Sequence, residues 1–405
     1  MRIACLNTHV PHRGIPYSSG QFTLAWLRAL SVKVDIELLV PATPQNLSAP
    51  RELPSYVEIT LIPVDRERSL LARCHYNAYG GVTPGLSVLS GFRASDRFPS
   101  AVAAADVVEI HQHHLLPLVS DVRRWFGRTP VTGIVMDVMS QKTLRDARLA
   151  RGIRGKLGST IRIRRAARTE ARLINQLDHV LTFSHKDAAL LENLGVSIPI
   201  EVIEPLVRMP EATARPPKEP VVTFTGALFR SVNSESIRWF LDAVWPTVET
   251  GVPEAKLVIA GADPPEWLVG RRSATTVVTG YVEDLDAVYR DSSLFVAPLL
   301  AGAGVKFKVL DAMASGLPVV ATPIAAEGIV EDAGESCFAA ITKDPAVMAE
   351  RIEFFLRHRE AASDVGARAR KWAHERFDFE QSARRALASY TRLATSALPA
   401  EDPVG

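Results

Sequence analysis

Between Pro298 and Ile329 the chain reads PLLAGAGVKFKVLDAMASGLPVVATPIAAEGI, a run whose residue types fall in the order that holding a phosphate requires. A strand ending at Pro298 leads into the small-residue loop Ala301-Gly302-Ala303-Gly304, and a helix is predicted to begin near Lys306. Glycines let backbone N–H groups approach an anion closely, and a helix N-terminus adds partial positive charge. Lys306 and Lys308 add cations suited to phosphate oxygens. Asp311 lies one turn into the helix, where a carboxylate can accept from ribose hydroxyls. Gly316-Leu317-Pro318 ends the helix and launches the next strand. An ordinary glycine-rich βα turn explains the glycines, but not the lysines, the acid and the helix arriving in this order.

Two further groupings could carry chemistry. His111, His113 and His114 follow a strand at a spacing that resembles metal ligands, yet no second cluster of acids matches them, so a polar loop is the favoured reading and no metal is expected. Gln141–Arg172 holds eleven Lys or Arg against Asp146 and Glu170, with Ile163, Ala167, Ile174 and Leu177 at near-helical spacing. A solvated helix face is one reading of this segment; a basic surface for an acidic acceptor or anionic lipid is the other.

The elements that must position these residues belong to an ordinary globular composition. The 405 residues are too many for one core and imply two domains. A formal charge of +2 argues against a nucleic-acid partner. Cys5, Cys74 and Cys337 are scattered and form no CxxC pair, so neither a disulfide framework nor a zinc site is expected. The N-terminus enters a strand directly, and no apolar run reaches the ~20 residues of a membrane span, so the expectation is a cytoplasmic protein, at most peripheral to the inner membrane face.

Strand signals at Arg2–Asn7, Val34–Val40, Asp106–His111, Val131–Met136 and His179–Phe183 alternate with helical sequence such as Phe22–Leu30, the mark of βαβ units on a parallel sheet. Arg208–Pro220, with four prolines in thirteen residues, interrupts the pattern and reads as a linker. The alternation then resumes with strands at Val221–Thr225, Lys256–Ala260, Thr276–Thr279, Leu294–Pro298 and Pro318–Ala321. The fold expected is α/β, two Rossmann-like doubly wound domains, 1–207 and 221–379. Arg66–Ser100, rich in Gly, Tyr and Ser, reads as an irregular insertion of the kind that carries specificity.

The stretch from Gly302 to Ile329 resembles the donor-binding signature of family 4 retaining glycosyltransferases of the GT-B fold. FTGALFRSVNSESIRWF at 224–240, LVIAGADP at 257–264 and TGYVEDLDAVYRDSSLFVAPL at 279–299 agree with that family in order and spacing. The resemblance implies that Gly302, Ala303, Gly304 and Val305 offer backbone amides to the donor phosphates and sugar. Asp311 stands where the family has the second Glu of a paired motif, the one that grips the ribose; for the first Glu, Ala301 stands near its place. Gly226 is followed by Ala227, with Arg230 as the nearby cation and Asn233 in a Lys-like place. Tyr281 and Val282 lie where backbone groups meet the nucleobase, although a buried turn would look the same. Before the first helix, Ser19 and Gly20 stand for a Gly-Gly loop that faces donor phosphate; Ser19 could equally be the N-cap. Met136-Asp137 replaces a His-Asp pair, so Asp137 alone carries over, and with Lys306 it is the catalytic candidate. The resemblance also implies that the two domains face across a cleft, 1–207 on the acceptor side and 221–379 on the donor side, with the helix at 380–400 crossing back onto the first domain.

The function this implies is retaining transfer of a sugar from a nucleoside-diphosphate sugar to a hydroxyl of a glycan, a lipid-linked glycan or a small natural product. No cofactor beyond that co-substrate and no metal is expected. A sugar-nucleotide epimerase of the same architecture and a non-catalytic nucleotide-sugar-binding protein are the alternatives.

Overall fold

The computed structural model describes residues 1–15, 18–31, 34–64, 86–149, 153–210 and 219–397. Most of the Gly- and Tyr-rich insertion and the proline-dense part of the linker lie outside the described residues. The chain divides into two units, Met1–Glu204 with Glu380–Gly405, and Pro205–Phe379. The division falls at Glu204, ahead of the proline-rich segment.

The first unit is a parallel sheet of seven strands: β1 (Arg2–Leu6), β2 (Asp35–Pro41), β3 (Val57–Ile62), β4 (Val107–His111), β5 (Val131–Ile134), β6 (His179–Thr182) and β7 (Ile200–Val202), in the order β3-β2-β1-β4-β5-β6-β7. β1, β4, β5 and β6 are buried almost throughout, which is why they read as short continuous apolar runs. The last helix, Phe379–Ala397, is sewn into this unit by polar contacts: Glu204 N donates to Ser382 Oγ at 2.9 Å, and Arg385 pairs with Glu204 at 2.7 Å. Its Tyr390 hydroxyl donates to the fully buried carboxylate of Glu109, which also accepts from Trp26 Nε1 at 3.2 Å and pairs with His111. Burial would push the Glu109 carboxyl up, but the charge and hydrogen bond of His111, with the hydrogen bonds of Tyr390 and Trp26, hold it below the usual carboxylate range. His111 is therefore a structural partner of Glu109.

The second unit is a six-stranded parallel sheet: β8 (Val221–Thr225), β9 (Lys256–Ala260), β10 (Thr276–Gly280), β11 (Leu294–Ala297), β12 (Val319–Ala321) and β13 (Ala340–Ile341), in the order β10-β9-β8-β11-β12-β13. Its core runs from Val222 and Phe224 through Leu257, Ile259, Phe295 and Val296 to Val319 and Val320. Both units are Rossmann-like, and in each the strand order reverses beside the central strand, between β1 and β4 and between β8 and β11. At such a point two neighbouring connections leave in opposite directions, and the crevice beyond the strands' carboxyl ends takes ligands.

Candidate functional site

Beyond the carboxyl ends of β8 and β11 the second unit gathers most of the residues its sequence nominates. β8 ends at Thr225 and passes into Gly226, whose N–H donates to Ala260 O at 3.0 Å at the end of β9. The two backbones lie so close here that a Cβ on Gly261 would meet Gly226 O at 1.8 Å, so only glycine fits. The turn then closes on Asn233, early in the Ser231–Ala243 helix, whose Nδ2 donates to Ala227 O at 2.8 Å. That bond leaves Oδ1 to accept from Lys308 Nζ, also at 2.8 Å.

Lys308 comes from the opposite side, from the Phe307–Ala314 helix that follows β11. Its ammonium lies 4.3 Å from the centroid of the Phe224 ring, a cation–π contact. Burial first, then the charges of Arg230 and Lys306, lower its pKa to about 7. Arg230 is exposed at the N-cap of the Ser231–Ala243 helix. Three cations thus bear on one spot, and the electrostatic demand there is for an anion.

The loop between β11 and that helix turns through two glycines of positive φ, Gly302 at 115° and Gly304 at 66°, with Ala303 between them. Lys306 occupies the N-cap position of the helix. Its ammonium donates to Gly304 O and, at 3.1 Å, to Glu327 Oε1, so this buried cation holds the loop in shape while contributing to the local potential. The sequence reading passed over Glu327; its signal was the EGI that closes the quoted stretch. Val305 is partly buried and packs against the core.

Asp311 lies three residues after Lys308 and so on the same helix face. Its Oδ1 accepts from Arg208 N at 2.9 Å, and burial raises its pKa to about 7 against the lowering effect of Arg208. Tyr289, whose hydroxyl meets Thr225 Oγ1 at 3.0 Å, feels the charge of Asp311. Arg208 is a second residue that the sequence reading missed, since it sat in what read as linker. Tyr281 is 55% exposed just past β10, and Val282 lines an open cavity with Thr223, Val258 and Ala287.

Ser19, Gly20 and Asp137 belong to the first unit. The first helix already begins at Ser18, so Ser19 is a first-turn residue rather than an N-cap, and its carbonyl accepts from Thr23 Oγ1 at 2.9 Å. A Cβ on Gly20 would meet Ile15 Cδ1 at 2.4 Å, so the glycine there serves packing of the preceding loop. Asp137 follows β5 and bears electrostatically on the buried Glu170, which caps the next helix through Met139 N and Ser140 N. Among the described residues no group of three His, Cys, Asp or Glu ligand atoms gathers at the Gly302–Lys308 loop; the group that does gather, Cys5, Glu109 and His111, is fully buried in the first unit.

The family described as Glycosyl transferases group 1 matches residues 219–358, which contain all of the second-unit site except Arg208. A Klebsiella pneumoniae protein described as an uncharacterized 44.6 kDa protein in the cps region is 31% identical over 166 residues, 39% of this chain; the match spans 42% of that relative's length. Among solved structures, a sucrose-phosphate synthase from Thermosynechococcus elongatus superposes with a TM-score of 0.75 at 15% identity, over 98% of this chain and 99% of that one. WaaG, described as a glycosyltransferase involved in lipopolysaccharide biosynthesis, superposes with a TM-score of 0.64 at 14% identity, over 96% and 100%. Among the described residues no helix is long and apolar enough to cross a membrane. The chain thus resembles the glycosyl transferases of group 1 through its second unit, on the two-domain Rossmann-like GT-B fold of such solved structures.

Proposed function

We propose that this protein is a retaining glycosyltransferase that moves a sugar from a nucleoside-diphosphate sugar to an acceptor hydroxyl, without a metal. The observation that carries the reading is Lys308: a lysine held beside Gly226 and Asn233, its charge suppressed by burial and by two neighbouring cations, at the switch point of a Rossmann-like sheet. A diphosphate would supply the missing negative charge. Loop amides from Gly302 to Val305, with Lys308 and Arg230, would stabilise charge building on the leaving diphosphate. Lys306, held by Glu327, would keep that loop in place. Asp311 would accept from the ribose hydroxyls. The acceptor hydroxyl would attack from the face the diphosphate leaves, giving its proton to a donor phosphate oxygen, so no covalent nucleophile is assigned. Asp137 in the first unit is assigned to the acceptor side.

The acceptor is proposed to be a glycan, a lipid-linked glycan or a small molecule. The exposed Arg164, Arg165 and Arg168 of the helix Ile153–Ile174 would favour an anionic acceptor or an anionic membrane surface, which fits a cytoplasmic protein peripheral to the inner face. The test is incubation with a panel of nucleotide sugars, read by mass spectrometry. Transferred or slowly hydrolysed sugar supports the proposal. An isomerised sugar would make the protein an epimerase, and binding without turnover would make it a nucleotide-sugar-binding protein.

A further inference from the structure

The first unit has a switch point of its own, and donor binding does not account for what gathers there. Asn7-Thr8-His9 follows β1 and Gln112-His113-His114 follows the neighbouring β4. Thr8 Oγ1 donates to Gln112 Oε1 at 2.6 Å, so it accepts from His9 Nδ1 at 2.8 Å, since a hydroxyl has one proton to give. Asn46 Nδ2 donates to Thr8 O at 3.0 Å and braces this polar floor from β2's side. Gln112 has a φ of 66°, a conformation that non-glycine residues hold only where the surroundings impose it, and such residues cluster at ligand sites.

His113 is 7% exposed, yet its Nε2 has no hydrogen-bond partner. A buried polar atom left so keeps its desolvation penalty, which a ligand atom would recover. The ring of His114 lies 4.3 Å away, and Lys142 from the Met139–Leu149 helix bears on both rings. Burial first holds both imidazoles below the usual histidine range; the charges of His114 and then Lys142 lower His113 further, and those of His9 and then Lys142 lower His114. The first amides of the Lys142 helix are already taken by Glu170, at 2.7 and 2.8 Å, so side chains rather than a helix terminus supply the donors. Asp137, the acid of that loop, bears on Glu170; His113 is perturbed by His114 and Lys142, and His114 by His9 and Lys142.

We propose that this crevice binds the anionic group of a sugar acceptor, a phosphate monoester or a carboxylate, through Lys142 and the ring N–H groups of His113 and His114. An anion is the ligand class that satisfies every feature at once: it gives the His113 ring a partner and relieves the repulsion among Lys142 and the imidazoles. An uncharged sugar would do only the first. The word acceptor rests on the glycosyl-transfer reading; the anion site does not.

The full chain is titrated with glucose 6-phosphate, glucuronate, glucose and inorganic phosphate, followed by calorimetry and by imidazole nitrogen resonances, with UDP as a separate ligand. A charged sugar should move the His113 and His114 resonances and bind at least tenfold more tightly than glucose. Lys142→Gln, a substitution on a partly exposed side chain, should weaken it about tenfold, and His113→Phe should abolish the response of His114. UDP affinity should change less than twofold in both variants. Imidazole resonances that ignore both charged sugars, or respond equally in Lys142→Gln, would overturn the proposal. Inorganic phosphate binding as tightly as glucose 6-phosphate would overturn its sugar part. Loss of UDP binding with the imidazole response intact would sink the donor reading and leave this site standing.

Discussion

Binding of a nucleoside diphosphate should draw a proton onto Lys308. With a pKa of about 7, this lysine is about half neutral at pH 7 and, by pH 8.5, ~97% neutral. A diphosphate beside it favours the ammonium form and returns the pKa towards that of an ordinary lysine. Uptake on binding should therefore rise from about half a proton at pH 7 to about one at pH 8.5. Affinity should weaken by a factor approaching ten per pH unit above 7, about 20-fold between pH 7.5 and 9. Calorimetry of UDP, GDP and ADP in buffers of different ionisation enthalpy reads the uptake directly, and pH 8.5 lies above the second ionisation of the phosphate and above that of Asp311. Lys308→Gln should bind more weakly and take up no proton. A flat affinity profile with no buffer dependence at pH 8.5 in the unsubstituted protein would refute the assignment of Lys308 to the phosphates.

Asp311, raised from the ordinary aspartate value of 3.8 to about 7, favours its neutral form in the fold; the stability this brings is full below pH ~4 and lost as pH rises through 7. Asp311→Asn should accordingly resist denaturant better than the unsubstituted protein at pH 7–8 and equally at pH 4, while nucleoside diphosphate affinity falls by about 1.5–3 kcal/mol. Glu327→Gln leaves the buried Lys306 ammonium without its carboxylate and should cost about 3 kcal/mol in chemical denaturation, with a matching loss of transfer activity. Transfer should persist in excess EDTA; activity lost there and restored by Mg²⁺ or Mn²⁺ would reject the phosphate clamp. Replacing Arg162, Arg164, Arg165 and Arg168 with Gln should raise the acceptor KM or release the protein from anionic vesicles at low salt, with donor hydrolysis unchanged.

The sequence by itself determined the parts of this protein that are local. The glycine loop, Lys306, Lys308 and Asp311 lie within one strand-turn-helix, where spacing alone sets the order of groups. The buried strands β1, β4, β5, β8, β9 and β11 announce themselves because a strand covered on both faces is a continuous apolar run. Two edge strands do not: β7 has three residues and β13 two, and pairing to a neighbour rather than composition makes them strands, whereas the edge strand β10 was legible as Thr276–Thr279. Gly20 has a packing requirement as well, the side chain of Ile15, which no local pattern records. The rest of the site was decided by the fold. Because the sheet sets β8 beside β11, Asn233 meets Lys308 across 75 residues of chain, and Lys306 finds Glu327 across 21. The pKa values near 7 of Lys308 and Asp311 follow from that assembly as well, since desolvation, the largest cause in both, exists only once distant segments have closed over them.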